Sequence, residues 1–119
     1  MNILITNPGR KNYFIDFLIE IKKRYFRNLK IHISDADQNS STFYMNKQIQ
    51  THITPKCHNK KKYINSIVNL VKKKKINLLI PLTDLDLIIL SEIKNKLKAF
   101  NCEALISDKK TIRMCENKI

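Results

Sequence analysis

The chain has 119 residues, 23 Lys and Arg against 10 Asp and Glu for a formal charge of +13, with 43% hydrophobic and 8% aromatic residues. This composition describes one folded domain spanning 1–119, excludes a disordered chain, and leaves no room for a second core. No apolar run approaches the roughly 18 residues of a membrane helix, and MNILITN lacks the basic start and cleavage site of a signal peptide, so a cytoplasmic protein with no membrane partner is expected.

Residues 2–6, NILIT, form a short apolar run closed by Asn7, Pro8 and Gly9, the pattern of a buried strand ending in a turn. From Arg10 to about Tyr25 the period changes. Tyr13, Phe14, Phe17, Leu18 and Ile21 then fall at steps of three and four, predicting a helix with that stripe toward the core. A strand, a turn with the chain's only glycine, and a helix make the first half of a βαβ unit.

Residues 30–34, KIHIS, restart the alternation of a strand and end at Asp35, Ala36 and Asp37. The stretch 38–47 is a polar loop whose sizeable apolar group, Phe43, Tyr44 and Met45, is suited to pin it to the body. QTHIT, 50–54, reads as a weakly apolar third strand stopped by Pro55, which fits the edge of a sheet. Cys57, Cys102 and Cys115 are odd in number and widely spaced, which argues against a disulfide framework. Cys57 and His58, with His52 upstream, lack the paired spacing of a four-ligand zinc site, so no metal is expected.

A second amphipathic helix is predicted over about 60–75, with Ile64, Ile67, Val68 and Val71 inward and the lysine runs 60–62 and 72–75 at its solvated ends. No nucleic-acid-binding motif accompanies the charge, and an A/T-rich codon origin accounts for the wealth of Lys, Asn and Ile, so a nucleic-acid partner is not expected. INLLIPL, 76–82, is the most apolar strand candidate and predicts a central strand buried on both faces. Thr83 and Asp86 match a helix-start signal, followed by Leu85, Ile88, Ile89, Ile93 and Leu97 at helical spacing. EALI, 103–106, supplies a fifth strand, and Ser107 can cap a last short helix over about 109–115.

Strands and helices alternate without an Asn-Gly or Asp-Gly hairpin, which predicts crossover connections and a parallel sheet. Right-handed crossovers and the weak third strand give a Rossmann-like three-layer α/β sandwich of five strands in the order 3-2-1-4-5. The crevice of the topological switch then lies between strands 1 and 4. There Asn7, Gly9 and Arg10 meet Asp35 and Asp37, and both meet Thr83, Asp84 and Asp86. Asn7, Gly9, Arg10, Asp35, Thr83 and Asp84 are the expected substrate-binding residues, offering a cation, backbone N–H groups for an anion, and carboxylates for an ammonium or hydroxyl. Each also has a structural reading. Gly9 can serve only a positive φ, since G-x-G-x-x-G is absent, while Thr83 and Asp84 can simply cap a helix whose dipole favours Asp86.

The runs NILITNPGRKNYFIDFL, ISDAD, SSTFYMNK, KINLLIPLTDLDLIIL and ALISDKKTIRMCENK resemble, in order and over essentially the whole chain, the N-terminal domain of ATP-grasp proteins similar to the carbamoyl-phosphate synthase large subunit. The resemblance implies one wall of a ligase active site, holding a small carboxylate or amine substrate. It implies no catalytic residue and no cofactor in this chain; ATP and magnesium belong to the ATP-grasp lobes expected after residue 119. A domain separated from those lobes leaves an apolar face open to self-association. Asn117 stands where the family has Asp, Asn46 where the loop commonly has an acid, and Pro8 precedes the glycine, so the site departs from the family pattern. A reading from another class stays open: a stand-alone Rossmann-like module that binds a nucleotide or another small anion in the same crevice.

Overall fold

β1 (Asn2–Thr6) runs through the middle of a five-stranded, all-parallel sheet, flanked by β2 (Lys30–Asp35) and β3 (Gln50–Ile53) on one side and by β4 (Leu78–Pro81) and β5 (Glu103–Ala104) on the other. The order β3-β2-β1-β4-β5 is the one the sequence predicts, with the weakly apolar β3 at an edge. These are the features of a computed structural model that describes residues 1–9, 11–37, 39, 42 and 49–105.

Register separates the two faces. Leu4 lies beside His32 and Leu79, whereas Ile5 lies beside Ile33 and Ile80. On the Leu4 side, α2 (Lys60–Lys74), α3 (Asp84–Ser91) and α4 (Lys94–Lys98) bury Tyr63, Ile67, Val71, Leu90 and Leu97 against Leu79 and Ala104. On the Ile5 side, α1 (Asn12–Arg24) packs Ile15 and Leu18 on Ile3, Ile31 and Ile33. The two cores make the three layers of a Rossmann-like α/β sandwich.

Three local expectations need correction. Tyr13 and Phe17 do not join the core of α1; they are 72% and 60% exposed, and Ile15 and Leu18 take the sheet side. The helix carries two apolar stripes at helical spacing, 13-17-21 and 14-15-18-19, and only one can face a sheet. β4 is not buried on both faces: Leu79 is fully enclosed, but Leu78 and Ile80 are half-buried because, among the described residues, α1 is the only helix on that side. A groove of about 420 Å³ remains there, lined by Ile3, Leu18, Tyr25, Phe26, Leu78 and Ile80. The helix after Thr83 breaks at Glu92 and Ile93, where two i to i−3 hydrogen bonds tighten the turn and let both Ile93 and Leu97 reach the core. Leu85, placed in its apolar stripe by sequence, is 52% exposed.

The lysine runs sit at the ends of α2 as expected, with Lys60 paired to Glu92 and the Lys72 ammonium 4.6 Å from the Phe100 ring centre. Among the described residues no helix is long and apolar enough to cross a membrane. Arg10, Phe43, Tyr44, Met45, Asn46 and the whole of 106–119, including the predicted last helix, Cys115 and Asn117, lie outside the described residues.

Candidate functional site

Parallel pairing brings the C-terminal ends of β1, β2 and β4 side by side, and a crevice of about 580 Å³ opens above them, lined by Asn7, Asp35, Asp37, Lys56, Cys57 and Thr83 among others. Behind two of its lining residues, Asn7 and Cys57, lies a buried carboxylate. Asp86 is wholly enclosed and accepts hydrogen bonds from four side chains: Tyr63 (2.6 Å), Asn7 (2.8 and 3.0 Å to its two oxygens), Cys57 (3.0 Å) and Thr6 (3.1 Å). Its backbone N–H meanwhile donates to the Thr83 hydroxyl at 3.2 Å, so Thr83 caps α3 as the sequence signal predicts. Among the described residues no cation pairs with Asp86; neutral donors and the N-terminal dipole of α3 meet its charge.

The donors feel that charge. Burial first, then the bond to Asp86, pushes the Cys57 thiol up to about 12, and burial with the Asp86 charge pushes the Tyr63 phenol well above its ordinary value. Both stay protonated at neutral pH, so Cys57 serves as a tether and not as a nucleophile. The tether matters because Cys57 follows Lys56 in the turn between β3 and α2, and fixing the thiol holds the lysine's backbone at the crevice wall.

Asp35 closes the other side. Its Oδ2 accepts the Gly9 N–H at 3.1 Å and its Oδ1 the Asp37 N–H at 2.9 Å, while the Asn7 N–H donates to the Ser34 carbonyl. The turn after β1 is therefore folded around the protein's own carboxylate. Asn7 and Gly9 both take positive φ, 46° and 56°, and a Cβ on Gly9 would touch nothing within 4 Å, so backbone conformation rather than close packing favours glycine there. Lys11 donates its ammonium to the Leu82 carbonyl, tying the same loop to the end of β4.

Of the residues singled out by sequence, Asn7, Asp35 and Thr83 line the crevice together, and Gly9 touches it through Asp35. Asp84 stands exposed in the first turn of α3 and does not line the crevice, and Arg10 lies outside the described residues. From sequence Asp86 stands at the strand ends without a ligand role, and Lys56, Tyr63 and Thr6 are not among the expected site residues. For Asp86 a signal existed, since it shares the helical spacing of the buried Ile89 and Leu90. Among the described residues no group of three or more His, Cys, Asp or Glu gathers as a metal site.

A family model described as PylC-like, N-terminal domain matches residues 3–105. No curated protein matches the chain. Among solved structures, a crystal structure of dTDP-glucose 4,6-dehydratase from Bacillus anthracis in complex with NAD is similar with a TM-score of 0.56 and 14% sequence identity, over 81% of this chain and 34% of that one. The chain thus spans about a third of that enzyme's length, and the likeness is one of fold.

Proposed function

Because the chain belongs to the PylC-like N-terminal domain family, a pre-ATP-grasp domain of ATP-grasp carboxylate–amine ligases, we propose that it forms the substrate-side wall of such a ligase. The narrower form of the proposal is a ligase similar to the carbamoyl-phosphate synthase large subunit. The observation that carries it is the crevice at the switch point, where Asp35, Asp37 and Lys56 line one opening together with Asn7 and Cys57, which Asp86 fixes.

In this reading the acids receive an ammonium or hydroxyl group, and Lys56, with Arg10, receives a carboxylate. Thr83 and Asn7 orient the bound group. ATP with magnesium, held in the ATP-grasp lobes of a larger protein, supplies the phosphoryl group that activates the carboxylate. The residues described here do not fit that nucleotide: the Gly9 N–H that a phosphate would use is engaged by Asp35, whose charge opposes a second anion. The same contact weighs against the stand-alone nucleotide module.

Calorimetry with magnesium and ATP, alongside a coupled ATP-hydrolysis assay containing amino acids, tests the assignment. No heat of nucleotide binding and no turnover by the 119-residue chain are expected. Micromolar nucleotide binding that disappears in Asp35→Ala would establish the rival module, and turnover by this chain alone would refute the division of labour.

A further inference from the structure

A second polar concavity lies at the β3 edge of the sheet, away from the crevice. It is a groove of about 280 Å³ between β3 and α2, lined by His52, Thr54, Ser66, Asn69 and Lys73 among others. Its floor holds an unanswered donor. Thr54 is 5% exposed and its hydroxyl has no hydrogen-bond partner, a condition that buried hydroxyls in settled cores rarely keep. Behind it, on the same face of β2, the Ser34 hydroxyl and the His32 Nε2 are buried and unpartnered too, with Ser34 in register with His52.

The charge around this groove has one sign. His52 lies 3.1 Å from His32 through their ring nitrogens, and burial, then Lys74 and Lys73, hold it below its ordinary range. His32 is held down by burial, His52, Lys74 and Lys30. Among the described residues no carboxylate lines the groove. A water molecule would satisfy one orphan hydroxyl but leave the surplus of positive charge. An anion with several acceptor-only oxygens answers both, since hydroxyl, amide and ammonium groups are all donors to it.

We propose that this groove binds a phosphate group, with Lys73 as counter-charge and Thr54, Ser66 and Asn69 donating to its oxygens. The site is separate from the substrate crevice and does not depend on the ligase reading. An anion seated beside His52 favours the imidazolium, so the ring reports occupancy.

The test is proton NMR of the His52 ring, titrated with pH in inorganic phosphate and in sodium chloride of equal ionic strength. Phosphate is expected to raise the His52 midpoint by about one pH unit beyond the chloride value. Lys73→Gln, a change of an exposed residue, should abolish that excess, and Thr54→Val should raise the phosphate concentration needed several-fold. A midpoint no higher in phosphate than in chloride, or an excess unchanged in Lys73→Gln, overturns the proposal.

Discussion

Asp86→Ala is expected to destabilise the fold by about 3–5 kcal/mol, the cost of stripping a fully enclosed hydrogen-bond acceptor from its donors. Four side chains converge on this carboxylate, and two of them, Thr6 and Tyr63, are themselves wholly buried. Removing it leaves both hydroxyl protons without their acceptor where water does not reach, and opens a small void under α3. A domain of this size commonly has roughly 5–15 kcal/mol in total, so the variant should unfold at much lower urea concentration. Tyr63→Phe should cost less, about 1–2 kcal/mol, because it deletes one bond to the carboxylate and a long one from Asn7 but leaves Asp86 with three donors. Urea midpoints of the parent and both variants check the ranking. Equal midpoints for parent and Asp86→Ala would mean that this buried carboxylate does not hold β1 and α3 together.

Acidification is expected to weaken the fold through His32. The residue is 2% exposed, stacked on His52 with ring centres 5.4 Å apart, and burial with the nearby imidazole and lysines pushes its pKa down from 6.5 to about 4. The unfolded chain therefore takes up a proton first. Stability from this group is complete above pH 6.5 and is lost as pH falls from there toward about 4, because the unfolded state binds more protons in that window. The full shift corresponds to about 3 kcal/mol, of which about 2 should be lost between pH 7 and about pH 4.5. His52, shifted in the same direction, adds to the slope. His32→Leu should flatten it, so comparing urea midpoints at the two pH values for parent and variant isolates the effect. An unchanged slope in His32→Leu would assign the acid sensitivity to other groups.

What the sequence disclosed and what it withheld divide along physical lines. NILIT, KIHIS and INLLIPL are short apolar runs stopped by turn residues, and their alternation with helical periods leaves a parallel sheet as the simplest solution. The strand order followed from handedness and from the poverty of β3. The facing of α1 did not follow, because Tyr13 and Phe17 repeat as regularly as Ile15 and Leu18, and only contact with Ile3 and Ile31 selects between them. His32 was hidden for a related reason: in a strand covered on both faces, the position between two isoleucines is also interior.

At the crevice, residues carried on strand ends were legible, as Asn7, Asp35 and Thr83 show. The Cys57 and Tyr63 contacts to Asp86 span 29 and 23 positions and depend on how α2 and the turn before it pack on α3, which no local pattern encodes. Gly9 could serve a ligand or a turn by its sequence alone. Its N–H on Asp35 and its positive φ give it a conformational task, with the carboxylate, not the glycine, facing the crevice.

Amide NMR of the chain titrated with a panel of amino acids tests the substrate-wall account most directly. The account predicts that resonances of Asn7, Asp35, Asp37, Lys56 and Thr83 move together with one saturation curve, because one ligand spans the ends of β1, β2 and β4. Movement confined to other surfaces, or no movement of these five up to tens of millimolar on the order of weak metabolite affinity, would contradict it.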